Sequence, residues 1–223
     1  MPRLLLLRHA QPDFAGHYDS ITPLGEQQSW WAGEHFAAQG LRFSRVLSGS
    51  LVRQSRTLER ILARLEDPPP PIVDPRFNEY DPSAVLAACG VRDEAALRAT
   101  GDRRGYFTAL RTALREWSRR AAMPDGAESW ADFGARVHGA VSAACEGLGP
   151  RDDVLVVTSG GVVGRLVADI LGAGADAAIE LNLQTRNTGI TELARGRTGS
   201  RLLSFNAVPH LERPERTQAV THS

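Results

Sequence analysis

The chain has 223 residues and a formal net charge of zero, 26 arginines standing against 26 acidic residues with no lysine at all. Without lysine there can be no Walker-A phosphate loop and no Schiff base to a carbonyl substrate or pyridoxal phosphate. Zero net charge argues against a nucleic-acid partner held by a general basic surface, and 42% hydrophobic with 23% charged residues reads as one ordinary globular domain.

In chain order, residues 4–7 are a leucine run ending abruptly in Arg8-His9, the pattern of a buried parallel strand. The run is too short for a secretory signal. Thr22-Pro23 reads as an N-cap with proline at the first helical position, opening a helix with Leu24, Trp31 and Phe36 that stops near Gly40. A short strand at Val46-Leu47 leads to a second helix with Leu51, Leu58, Ile61, Leu62 and Leu65 on its apolar side. Asp67 and the four prolines after it end that helix, and Ile72-Val73 reads as another strand.

Residues 82–123 are rich in alanine and arginine, with Tyr106, Phe107, Leu110, Leu114 and Trp117 at helical spacing. They read as an inserted helical cap over one end of the sheet. Its Arg98, Arg103, Arg104 and Arg111 either meet an extra anionic group of a substrate or line a solvated face. A further helix follows Pro124-Asp125-Gly126, carrying Trp130, Phe133, Val137, Val141 and Ala144. Residues 154–157 are the second buried strand, followed by Thr158-Ser159-Gly160-Gly161 and a helix through Leu171. Residues 188–193 and 202–205 read as a closing hairpin around Gly196-Arg197-Thr198-Gly199. The polar residues 212–223 read as a disordered tail, leaving 1–211 as a single domain.

Strands alternating with helices predict an α/β three-layer sandwich, a mostly parallel sheet with helices on both faces. Ligands in such sheets sit beyond the carboxyl ends of the strands, which here are Arg8-His9 and Thr158-Ser159-Gly160-Gly161. No stretch approaches the ~18 apolar residues of a membrane span, so no membrane partner is expected. Cys89 and Cys145 lack metal-ligand or CxxC spacing, the pattern of reduced thiols in a cytoplasmic protein.

Several motifs compete for the chemistry. Cys145 to Arg151 has the Cys-x5-Arg spacing of cysteine phosphatases, but it follows a helix, and Glu146 would repel a phosphate. Ser159-Gly160-Gly161-Val162-Val163-Gly164 approximates a dinucleotide fingerprint with Glu180 downstream, although Glu180 falls in a helical segment. A hydrolase elbow at Ser159 lacks its first glycine, since Val157 stands there. His9, held at a strand end beside Arg8, has the chemistry of a nucleophile for an anionic substrate.

Leu7-Arg8-His9-Ala10-Gln11 resembles the Arg-His-Gly signature of the histidine phosphatase superfamily, the phosphoglycerate mutase-like proteins. The resemblance recurs in register along the chain. It includes Thr22-Pro23-Leu24-Gly25-Glu26-Gln27, Ser48-Gly49-Ser50-Leu51-Val52-Arg53, and Phe77-Asn78-Glu79-Tyr80. It continues through Pro124-Asp125-Gly126-Ala127-Glu128-Ser129 to Arg136-Val137, then Asn187-Thr188-Gly189-Ile190 and residues 206–211. It implies a phosphoglycerate mutase-like fold and a phosphatase in which His9 attacks a phosphomonoester to form a phosphohistidine. Arg8 and Arg53 would bind the phosphoryl oxygens, and Glu79 would protonate the leaving alcohol and then activate water. It implies no metal and no cofactor, with a small phosphomonoester or inorganic phosphate as ligand. Two departures stand out. Ala10 replaces the usual glycine, and Ser159 stands where the family carries a second catalytic histidine. Ser159 would still donate to a phosphoryl oxygen, with His17 from the first loop as a possible substitute. The departure leaves two alternatives open, a weakened or inactive phosphoester-binding protein and a mutase-type phosphotransferase.

Overall fold

The computed structural model describes residues 1–14, 18–91, 93–197 and 199–222. Six strands form one sheet in the order β3-β2-β4-β1-β5-β6. They are β1 (Arg3–Arg8), β2 (Arg45–Ser48), β3 (Ile72–Val73), β4 (Asp153–Thr158), β5 (Ile190–Arg195) and β6 (Ser200–Ala207). β1 and β2 pair parallel with β4, and β3 with β2; β5 lies antiparallel to β1 and carries β6 as a hairpin.

The two leucine pairs of β1 point opposite ways, as the period of a strand requires. Leu4 and Leu6 join Val154 and Val156 in a core with the later helices, whereas Leu5 and Leu7 join Leu155 and Val157 against the first two helices. Those first two are α1 (Pro23–Ala38) and α2 (Val52–Leu62). The opposite face carries α3 (Pro82–Ala88), α4 (Glu94–Ala99), α5 (Arg103–Arg119), α6 (Trp130–Ala144), α7 (Gly160–Ile170) and α8 (Ala175–Gln184). A continuous apolar run buried on both faces is why a strand this short sits at the centre of the sheet.

The N-cap forms as expected, Thr22 accepting from the Gly25 amide. α2 ends at Leu62, five residues before the Asp67 and proline stop expected to end it, and Asp67 takes a positive φ in the turn beyond. Phe36 faces the sheet, but Leu24 and Trp31 do not. They pack with Val208, Leu211, Ala219 and Val220.

That cluster corrects the reading of residues 212–223 as a disordered tail. A 3-10 helix at Pro214–Ala219 buries Ala219, and the Gln28 amide donates to the Ala219 carbonyl at 2.7 Å and to Thr221 Oγ1 at 2.9 Å. A polar segment needs few apolar contacts to be held when buried donors and acceptors wait for it. Within 82–123, Tyr106, Leu110, Leu114 and Trp117 are buried and continuous with the sheet's own core.

Candidate functional site

The strand order brings both carboxyl ends together. Arg8 lies opposite Thr158 in register, and the His9 amide donates to the Thr158 carbonyl at 2.8 Å. His9 is 2% exposed. Its Nδ1 lies 2.8 Å from the Ala10 carbonyl, which can only accept, so Nδ1 carries the proton. Nε2 is then a lone-pair acceptor, and the Arg53 Nε–H donates to it at 3.2 Å. Burial and the neighbouring charges of Arg53 and Arg8 hold His9 well below the usual histidine range, so the imidazole is neutral.

Arg8 and Arg53 are the arginines buried among the described residues. Arg8 donates through Nη1 to the Thr185 carbonyl, but its buried Nε has no acceptor. Arg53, in the first turn of α2, pairs through Nη1 with Asp19 at 2.8 Å, and Asp19 also caps the helix by accepting from the Val52 amide. A guanidinium does not lose its proton in a protein, so an unsatisfied buried Nε is a donor awaiting an anion.

Glu79 sits on the loop after the 3-10 turn Pro75–Phe77 and accepts from the Gly161 amide at the start of α7, at 3.0 Å. Burial raises its pKa, opposed by that amide and by Arg53 and Arg8. Ser159 is fully buried; its Oγ accepts from Gln54 Nε2 at 2.9 Å, which leaves the hydroxyl hydrogen for another acceptor. Arg8, Arg53 and Glu79 line one cleft with Tyr18, Tyr80 and Asn182, and only about 30 Å3 of it is open to water. His9 and Ser159 lie behind that lining. Among the described residues, no group of three or more His, Cys, Asp or Glu is placed to hold a metal ion.

The remaining candidates fall away from this cleft. Cys145 caps the end of α6, and burial raises its thiol pKa. Glu180 lies within α8, paired with Arg111 and Arg115. The glycines of the fingerprint serve close packing: a Cβ at Gly164 would meet the Asn182 amide nitrogen at 2.7 Å, and one at Gly161 would strike Glu79 and Tyr80. Ala10 is not among the non-glycine residues with positive φ, so a side chain there costs nothing. His17 lies outside the described residues. Of the cap arginines, Arg98 pairs with Glu94, Arg111 with Glu180, and Arg103 donates to the His222 carbonyl. Arg104 lies exposed along a different groove, beside Cys89, Thr108 and Glu116.

Sequence reasoning missed Asp19, Gln54, Asn182 and Asn187. Asn187 holds the His9 carbonyl through Nδ2 at 3.2 Å. For Gln54 the signal was adjacency to Arg53, and for Asn187 its place at the head of the segment Asn187-Thr188-Gly189-Ile190; Asp19 and Asn182 are polar residues that only the folded chain brings to the site.

The family model of the histidine phosphatase superfamily (branch 1) matches residues 4–208. A probable phosphoglycerate mutase of Erwinia tasmaniensis is 28% identical over 200 residues, covering 86% of this chain and 85% of its own. Among solved structures, a mycobacterial glucosyl-3-phosphoglycerate phosphatase in complex with VO3 superposes with a TM-score of 0.65 at 25% identity, covering 93% of this chain and 100% of the other. A phosphoserine phosphatase mutant of Entamoeba histolytica in complex with phosphoserine gives 0.66 at 19% identity, covering 95% and 100%, a likeness of fold.

Proposed function

The chain belongs to the histidine phosphatase superfamily, and from that premise we propose that it is a phosphomonoester phosphatase working through a phosphohistidine on His9. One observation carries the reading. A buried neutral imidazole, protonated on Nδ1, presents its Nε2 lone pair to the buried Arg53 guanidinium, with the buried Arg8 guanidinium a second neighbouring charge whose Nε is unsatisfied.

The steps follow from that geometry. A phosphoryl dianion takes the free Arg8 Nε and replaces His9 Nε2 as the acceptor of Arg53 Nε, which releases the lone pair. Nε2 then forms the P–N bond as the ester P–O bond breaks, and the Glu79 carboxyl gives its proton to the departing alkoxide. Water attacks phosphorus next, losing a proton to the Glu79 carboxylate as the P–N bond breaks; inorganic phosphate leaves and both groups are restored. Arg8, Arg53, the Ser159 hydroxyl and the N-terminus of α7 stabilise the charge on the phosphoryl oxygens, where phosphoryl transfer gains most of its rate. No step calls for a metal or cofactor.

Ser159 supports a second reading, a protein of this fold that binds phosphoesters with weakened or lost turnover, because its neutral hydroxyl stands where the family resemblance expects a histidine. The Erwinia relative's name raises a third, mutase-type phosphotransfer, which must keep its phosphoenzyme from water. Hydrolysis of p-nitrophenyl phosphate by the natural protein and by His9→Ala separates them. The phosphatase reading expects turnover that His9→Ala abolishes, with an acid-labile phosphoenzyme trapped from the natural protein alone. Absence of turnover on this ester and on a panel of phosphorylated metabolites would sink the enzyme reading. Activity surviving in His9→Ala would show that another group attacks.

A further inference from the structure

Resting on the phosphatase reading, we infer that His210 is a positioning residue for the nucleophile: its Nε2–H locks the strained turn at Thr188, and that turn aims His9. His210 lies in the loop after β6, buried along a groove beside Trp31 and Arg213 rather than on the cleft of Arg8 and Arg53. It therefore touches no substrate. Burial, with His35 and Arg216 beside it, lowers its pKa to about 3, so the ring is neutral and carries one hydrogen on its nitrogens. Nε2 lies 2.8 Å from Thr188 Oγ1, and that hydroxyl gives its own hydrogen to the Asn187 carbonyl at 2.7 Å. The imidazole must then donate from Nε2, which leaves Nδ1 a buried lone pair without a partner. The opposite tautomer would strand a buried N–H instead and draw the hydroxyl hydrogen away from the Asn187 carbonyl.

Thr188 is where this bond acts. It is fully buried and sits at φ +55°, left-handed backbone that a β-branched residue holds only when its surroundings over-determine it. In that conformation its amide faces the end of β1, donating to the Arg8 carbonyl at 3.1 Å and to the His9 carbonyl at 3.4 Å. One amide thus fixes both carbonyls that flank the His9 α-carbon, and with them the direction in which the imidazole leaves the backbone. The same turn grips β1 again where the Gly189 carbonyl accepts from the Arg8 amide at 3.1 Å. His210 is itself firmly mounted, since Arg216 Nη1 donates to its carbonyl at 3.1 Å and the Leu211 amide closes a turn onto Val208 at 2.8 Å. A buried imidazole with an orphaned Nδ1 is a poor device for stability, because an apolar side chain would leave no polar atom unmet. What the imidazole adds is a directed donor on the one residue whose backbone must stay strained.

The test uses His210→Leu, His210→Gln and Thr188→Gly in the full chain, each checked by thermal melting. His210→Leu removes the donor and the orphaned acceptor together, so its melting should stay close to that of the natural protein. The rate is read in single turnover, with saturating protein in excess over p-nitrophenyl phosphate, because that rate constant does not depend on the fraction of active molecules. It should fall about ten- to hundredfold, the scale of a misaimed reacting group. Inhibition by inorganic phosphate should stay within about threefold, since Arg53 is held by Asp19 and Arg8 by the Thr185 carbonyl. His210→Gln keeps an N–H near the Nε2 position and should recover most of the rate. With Thr188→Gly, which lacks the hydroxyl, adding His210→Leu should change the rate less than about twofold. A rate within about twofold of the natural one in folded His210→Leu would overturn the inference and leave the phosphatase reading intact. So would His210→Gln as slow as His210→Leu, or losses from His210→Leu and Thr188→Gly that simply multiply. Should His210→Leu fail to fold, Thr188→Val cuts the same bond from the other side: the same loss upholds the inference, and a natural rate overturns it. If the natural protein hydrolyses neither this ester nor a panel of phosphorylated metabolites, the phosphatase reading fails. Crystal structures of the natural protein and His210→Leu then decide the positioning. A His9 ring displaced from Arg53 upholds it, and an unmoved ring overturns it.

Discussion

Replacing Ser159 by histidine tests the reading of the site at its weakest member. Ser159 Oγ is fully buried, accepts from Gln54 Nε2, and has one neutral hydrogen to give a phosphoryl oxygen. A protonated imidazole would give a charge-assisted bond instead, stronger by about 1–2 kcal/mol, or roughly 5- to 30-fold in rate at 1.36 kcal/mol per tenfold. The gain needs the charge. Burial together with Arg8 and Arg53 depresses His9, and the same surroundings would depress a histidine at 159, so the gain should grow as pH falls. The larger ring must also displace the Gln54 amide, which keeps the Phe77 carbonyl at 3.1 Å as its other acceptor. Overpacking of this kind costs about 1–3 kcal/mol, which for a chain of this size lowers Tm by roughly 2–4 °C per kcal/mol. Gln54→Ala in the same chain makes room for the ring. The assay is kcat for p-nitrophenyl phosphate from pH 5 to 8 in S159H alone and with Gln54→Ala, each checked for folding by thermal melting. A folded variant no faster than the natural protein at pH 5 in either background would refute the assignment of Ser159 to the phosphoryl oxygens.

Burial keeps a proton on Glu79 above the usual carboxylate range, so kcat for an alkyl phosphate should fall as pH rises through that raised pKa. Glu79→Gln should lower kcat and flatten that limb, and a limb that persists in the variant would assign it elsewhere. Burial, with His35 and Arg216 adding to it, holds His210 at about 3 against an ordinary 6.5. The unfolded chain thus takes a proton that the folded one refuses, and stability present above pH 6.5 is lost as pH falls toward 3, by up to about 1.4 kcal/mol per unit. Urea midpoints between pH 7 and 4.5 should therefore fall less steeply in His210→Gln, and parallel slopes would contradict the assignment. Removing residues 213–223 deletes acceptors for Gln28 and for the Asn187 amide, which donates to the Thr221 carbonyl at 2.9 Å. At about 1 kcal/mol per net hydrogen bond, Tm should drop by several degrees. Because Asn187 holds the His9 carbonyl, kcat should fall more than KM rises; unchanged melting and kcat would deny the segment any such role.

What the sequence made legible follows from periodicity. Residues 4–7 and 154–157 are apolar on consecutive positions, which only a strand covered on both faces tolerates, and each ends in polar residues where the chain leaves the sheet. That places Arg8, His9 and Ser159 on one edge before any coordinates are known. The C-terminal segment was illegible by the same logic, since its residues are polar and aperiodic. A signal lay elsewhere, on α1. Leu24 and Trp31 sit seven residues apart on one helical face, and that face is not the one that packs against α2 and the sheet through Ala32, Gly33 and Phe36. An apolar stripe off the packing face asks for a cover, and residues 208–220 supply it.

The arginines show why the site itself needed the fold. A lysine drawn into an apolar interior can escape its desolvation cost by losing a proton; an arginine cannot. In a chain whose basic residues are all arginine, every buried one is a permanent charge that needs compensation. Composition gives 26 equivalent candidates, and several meet carboxylates at the surface, as Arg42 does with Glu66 and Arg76 with Asp74. Arg8 and Arg53 are buried side by side around a neutral histidine, with Asp19 on one and nothing on the Nε of the other. Glu79 cannot serve both as their counterion and as a proton donor, because its raised pKa keeps the proton that full compensation would remove. The resting cleft is therefore short of negative charge beside the nucleophilic Nε2, and a phosphoryl dianion fits that deficit in sign and in place.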